Sequence, residues 1–176
     1  MLLKIGHREE RRPDDVVGPL LDCHARIRAF TAIARRIAAH EGADAGVAEA
    51  AARVERYFRV AYPLHVEDEE ISLRPRLMAV KAAPEIALCL DAMTAEHDAM
   101  EALVAGLLPR WATVAERPSD LAALAPGLGD DTAELARRFD AHLEQEERVL
   151  FPAVEEHLTA EALVIRAEMV ARRAVA

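Results

Sequence analysis

Apolar residues recur at intervals of three and four along four stretches of the chain, the spacing that lines up one buried helix face. The first stretch is Leu20, His24, Ile27, Thr31 and Ala34. It follows Pro13, Asp14 and Asp15, a proline and two acidic residues suited to a helix's first turn, and the segment Glu41 to Gly46 ends it. A second stripe reads Val54, Phe58, Ala61, His65, Glu69 and Ser72, with Pro75 expected to end or kink it. Pro84 opens a third, whose stripe is Ile86, Leu90, Met93, His97, Met100 with Glu101, Val104, Leu107 and Trp111, fading between Pro109 and Pro118. The stretch holding Pro126, Gly127 and Gly129 reads as the loosest connection. A fourth stripe then runs through Leu135, Phe139, His142, Glu146, Val149 and Ala153, and Thr159 is placed to cap a short amphipathic C-terminal helix.

Four long helices with short connections pack most simply as an all-α, up-down-up-down four-helix bundle, the apolar stripes facing one another. The length of 176 residues suits one domain over 1–176, with the bundle core at about 14–158. Composition agrees: alanine and leucine dominate and aromatics make up 4% of the chain, which favours packed helices over sheets.

Charge narrows the partners. With 22 basic against 31 acidic side chains the formal charge is −9, which repels a phosphate backbone, so no nucleic acid is expected. The apolar run Met1 to Ile5 is too short for a signal-peptide core and is followed by Arg8, Arg11 and Arg12. No later stretch has membrane-spanning length, so the expectation is a cytoplasmic protein without a membrane partner. Cys23 and Cys89 form no CxxC pair and read as buried reduced thiols.

The chemistry lies where polar residues interrupt the stripes. His24, His65, His97 and His142 fall one per helix at interior positions, and Glu69, Glu101 and Glu146 do the same. An unpaired carboxylate in an apolar interior costs several kcal/mol, so buried carboxylates pair, protonate or bind metal. Residues four apart share a helix face, so His65 with Glu69, His97 with Glu101 and His142 with Glu146 each offer a nitrogen and an oxygen. About one such HxxxE pair is expected by chance in a chain this rich in glutamate. Four occur, and the fourth, His157 with Glu161, straddles the helix break near Thr159 and is set aside. His7 and His40 are also set aside, His40 as an exposed helix-end residue, while Glu67, Glu70, Glu144 and Glu147 are expected to face solvent.

An internal repeat strengthens the pattern. HVEDEEISLRP from His65 to Pro75 and HLEQEERVLFP from His142 to Pro152 both fit H-x-E-x-E-E-x-x-L-x-P. The repeat points to two similar helix hairpins, each with a lone histidine on its first helix and an HxxxE on its second, a duplication that suits a two-metal site.

At these residues the sequence resembles the hemerythrin-like (HHE) cation-binding domain, over roughly Asp14 to Leu158. The resemblance implies two non-haem iron ions, oxo- or hydroxo-bridged, held by His24, His65, Glu69, His97, His142 and Glu146, with both glutamates bridging. Imidazole and carboxylate donors together suit iron. Ferritin-like proteins are the rival, but no histidine here has a glutamate three residues before it. On the third helix, hemerythrins that carry oxygen have HxxxH where this chain has His97 and Glu101. Glu101 is therefore either a ligand that lowers the cluster charge and favours ferric iron or a neighbour of the ligands.

The leading expectation is a di-iron protein that binds O2, NO or peroxide for sensing, buffering or detoxification. Its alternatives are a di-iron oxidase or peroxide-decomposing enzyme and a structural or storage site for iron or zinc. If the protein signals, it does so through a protein partner whose surface the sequence does not locate.

Overall fold

The computed structural model describes residues 12–40, 42, 44–80 and 84–175. Met1 to Ile5, His7, Arg8, Arg11 and Glu41, on which expectations were placed, lie outside them. Helix α1 is Val17–Ala38, α2 spans 45–79, α3 is Pro84–Glu116, α4 spans 121–157 and α5 is Ala162–Val175. No strand occurs among the described residues. The first four helices pack in a ring, α1 on α2, α2 on α3, α3 on α4 and α4 back on α1, the neighbour relations of an up-down-up-down bundle. None of the helices is long and apolar enough to cross a membrane, among the described residues.

Pro13, Asp14 and Asp15, expected in the first turn, lie just ahead of α1, whose first residue is Val17. Asp15 Oδ1 accepts from the Gly18 backbone N–H at 2.7 Å at the head of α1. Asp44 caps α2 by accepting from Val47 N–H at 3.0 Å. Pro84 is the first residue of α3. At the other end, Thr159 caps nothing with its side chain and instead begins a 3₁₀ turn, Thr159–Glu161, that leads into α5.

The interior prolines behave differently from expectation. Pro75 does not end α2, which continues to Ala79. The helix relaxes upstream of it into a π-helical segment, Asp68–Leu73. The same happens in Tyr57–Ala61 ahead of Pro63 and in Glu146–Leu150 ahead of Pro152. A proline has no N–H to donate and its ring crowds the carbonyl four residues back, so a wider turn just before it accommodates both defects. The extra residue shifts the buried face by one position. Ala61, expected inside, is exposed while Tyr62 is buried, and Leu150 is more fully buried than Val149. The stretch with Pro126, Gly127 and Gly129 is likewise not a connection but part of α4, and α3 runs through Pro109 to Glu116.

Two apolar blocks fill the bundle. One contains Ile27, Phe58, Tyr62, Met100, Trp111, Phe139 and Leu143. The other contains Leu20, Leu73, Leu90, Met93, Leu150 and Phe151, with Ile165 and Met169 of α5. Along every long helix the polar residues of interest fall between these blocks: His24 between Leu20 and Ile27, His97 between Met93 and Met100, His142 and Glu146 between Phe139 and Leu150.

Candidate metal centre

Six side chains converge in the polar layer between the two blocks. His24, His65, Glu69 and Glu146 form one group of potential metal ligands, and Glu69, His97, His142 and Glu146 form a second, with the donor atoms of each group within 4.8 Å of one another. Both carboxylates belong to both groups. Glu69 turns Oε1 towards His65 Nε2 at 3.5 Å and His24 Nε2 at 3.8 Å, and Oε2 towards His97 Nε2 at 3.4 Å. Glu146 turns Oε2 towards His24 Nε2 at 3.3 Å and Oε1 towards His142 Nε2 at 3.1 Å. Each glutamate therefore spans the two groups with one oxygen apiece, the arrangement two cations need from a bridging carboxylate.

All six residues are buried, and the Nε2 atoms of the four histidines and both oxygens of the two glutamates lack a hydrogen-bond partner. Buried polar atoms are almost always satisfied, so such a concentration of orphans calls for an occupant. Cations fit the donor set: imidazole nitrogens and carboxylate oxygens suit iron, and neither Cys23 nor Cys89 belongs to either group. Without metal, protons compensate the carboxylates. Burial alone would lower the His24 and His97 pKa values, yet the close carboxylates of Glu146 and Glu69 for His24, and of Glu69 for His97, raise both to about 9. Burial likewise works against ionisation of Glu69, but the charge of His65 and the nearness of His24 and His97 hold its carboxyl well below the usual range. His65 goes the other way, its pKa lowered chiefly by burial.

The positions follow from helix phase. On α2 and α4 a buried aromatic stands three residues before the histidine, Tyr62 before His65 and Phe139 before His142, so the next residue on the face comes four later, at Glu69 and Glu146. On α1 and α3 the fully buried apolar residue on the same stripe is four back, Leu20 and Met93, so the next comes three later, at Ile27 and Met100. Alternating steps of three and four keep residues on one stripe. Glu101, expected inside, is consequently turned outward: it is exposed and belongs to neither group. Its charge reaches Tyr62, whose hydroxyl is held protonated by burial first and by Glu101, Glu69 and Glu146 after it. The Tyr62 hydroxyl has no hydrogen-bond partner.

An outer ring of carboxylates aims the imidazoles. Glu147 accepts from His24 Nδ1–H at 2.9 Å, Glu70 from His97 Nδ1–H at 2.9 Å and Glu96 from His142 Nδ1–H at 2.7 Å. With Nδ1 carrying the proton, Nε2 presents its lone pair inward, the usual support of a metal-binding histidine. Glu70 and Glu147 were expected to face solvent, and both are instead partly buried in these bonds, whereas Glu67 and Glu144 are exposed. The missed signal is the Glu-Glu doublet in both repeats, whose first member turns inward and whose second crosses to the lone histidine of the other hairpin. Glu96 gave no signal beyond standing next to His97.

Another buried acid, Asp68, was also missed. It is fully buried beside Glu69 and accepts from Arg172 at 2.8 Å and from Arg173 at 2.6 Å, which fastens α5 onto α2. His40 is exposed and pairs with Asp44, and His157 lies outside both groups. Both cysteines are buried and unpaired.

Comparison with curated proteins gives no match. The family of the hemerythrin HHE cation-binding domain matches residues 15–154, a span that takes in both hairpins, both repeats and all six converging side chains. The chain belongs to the hemerythrin HHE cation-binding domain family.

Proposed function

We propose that the polar layer holds two iron ions and that the protein binds O2, NO or peroxide there, serving in sensing, buffering or detoxification. One observation carries this reading: eight buried donor atoms without partners, divided into two groups that share both carboxylates. A single zinc site needs only three or four protein ligands and leaves none to be shared. His24 and His65 with the near oxygens of Glu69 and Glu146 would hold one ion, and His97 and His142 with the far oxygens the other. Iron held there would supply redox chemistry.

The remaining parts of the reading belong to the chain itself. Glu147, Glu70 and Glu96 keep three imidazoles in the tautomer that offers Nε2. Phe151, with its ring 4.9 Å from that of His24, and the aromatic pair Tyr62 and Phe139 exclude water from either side. Tyr62 Oη–H is buried and without a partner, and the charges of Glu69 and Glu146 act on it, so it would be the chain's own donor to a small oxygenated ligand.

Optical spectroscopy tests this directly. The reduced, iron-loaded protein should change its near-ultraviolet and visible spectrum on exposure to O2, NO or peroxide, and Tyr62→Phe should shorten the lifetime of the resulting adduct while metal content stays constant. A loaded protein whose spectrum responds to none of the three would make this a structural metal site.

A further inference from the structure

The repeat aligns the two hairpins, His65 with His142, Glu69 with Glu146 and Glu70 with Glu147, and their partner helices each carry one converging histidine, His24 and His97. The outer ring obeys this pseudo-twofold relation in one pair of contacts. Glu147 of α4 reaches His24 of α1, and Glu70 of α2 reaches His97 of α3. The other pair breaks it. Glu96, the residue before His97, accepts from His142 Nδ1–H, and its counterpart before His24 is Cys23. His65 Nδ1 accordingly has no partner, although the residue is buried.

Cys23 is a poor substitute for a carboxylate. A thiol is a weak hydrogen-bond partner, and this sulfur already faces Arg26 at 3.8 Å and Arg173 at 3.9 Å. A second difference has the same sign. Arg28, one turn after His24, donates to Glu147 at 2.7 Å and offsets the charge that supports His24, whereas Glu70, which supports His97, meets its nearest guanidinium, Arg74, only at 3.8 Å, and the position after His97 that corresponds to Arg28 is Glu101. One half therefore carries Cys23 and Arg28 where the other carries Glu96 and Glu101.

We propose, on the two-ion reading above, that the metal positions are unequal: the His97/His142 position fills first and holds its ion more tightly, and the His24/His65 position is the labile one. A carboxylate on Nδ1 fixes the ring's tautomer and direction and makes Nε2 a stronger donor, and losing such a partner typically weakens metal binding by about 10- to 100-fold. His65 pays for its own orientation on binding, and cations meet more positive charge in its half.

Anaerobic titration of the metal-free 176-residue chain with Co2+, followed by absorbance and calorimetry, reads this out without any activity. The parent protein should bind two ions in two steps separated by about tenfold or more. Glu96→Ala, at a side chain 40% exposed and so tolerant of truncation, should weaken the tight step alone and draw the two together, with Glu96→Gln intermediate. His65→Ala should remove the weak step and spare the tight one. Two equal steps in the parent, or equal weakening of both by Glu96→Ala, would overturn the inequality. Binding of a single ion by the parent would instead overturn the two-ion reading on which it rests.

Discussion

The aromatic block at one end of the bundle and the polar layer beside it are equally buried and are stabilised by opposite means. In the block, Phe58 stacks on Trp111 at 5.3 Å and on Phe139 at 6.0 Å, and Tyr62 meets Phe139 edge to face at 5.3 Å. Burial of those rings is favourable without any ligand. In the layer, Glu69 and Glu146 gain nothing from burial and depend on whatever positive charge lies between them. A fold can thus be secured by one region while the other is kept for a cation, and substitutions in the two should respond differently to metal.

The largest effect is expected at Trp111, which is fully buried in the aromatic block. Trp111→Ala should cost about 3 to 5 kcal/mol, the range for large aromatic deletions. Because the block does not depend on a cation, chemical denaturation should give the same loss with and without metal. A loss confined to the loaded protein would erase the distinction between the regions.

Substitutions in the layer should show the reverse pattern. Under the proposed ligand assignment, His142→Ala leaves a buried carboxylate short of compensation and should cost the metal-loaded protein about 3 kcal/mol or more. It should lower metal content at the same time, whereas His157→Ala should do neither. Equal effects from the two, read by thermal melting and elemental analysis, would show that the layer is not specially dependent on these side chains.

Acidity sharpens the comparison more gently. In the metal-free chain His24 and His97 have pKa values raised to about 9 from 6.5, so the stability they contribute is fully present below 6.5 and lost as pH rises through 9. The lowered pKa of Glu69 acts oppositely, its contribution being present above 4.5 and lost on acidification. The metal-free melting temperature should therefore fall between pH 6.5 and 9.5. Metal-loaded protein, with neutral coordinated imidazoles, should lack that fall.

How far the sequence revealed this division depends on the residue. The stripes of α1 and α3 were legible because uninterrupted helical periodicity predicts them, and the six converging side chains stood out as polar residues on apolar faces. The π-helical segments were not legible. A proline reads as a break in a local pattern, whereas the tertiary packing on both sides of Pro63, Pro75 and Pro152 keeps each helix continuous. Glu70, Glu96 and Glu147 were hidden for a different reason. Their role is a contact between helices, and spacing within one helix carries no information about it.

The smallest effect belongs to Glu101. Exposed and outside both groups, it should be replaceable by alanine with no change in metal content and little in stability, surface substitutions being worth about 0.5 kcal/mol or less. A lost ion in Glu101→Ala would bring it back into the layer.

Elemental analysis of the protein purified from iron-replete cells, combined with quantitation of the chain, tests the central claim most directly. The account predicts two iron ions per chain in the parent and loss of both in a Glu69→Ala, Glu146→Ala double variant, because the two carboxylates are shared between the groups. A reproducible single zinc ion per chain would contradict it.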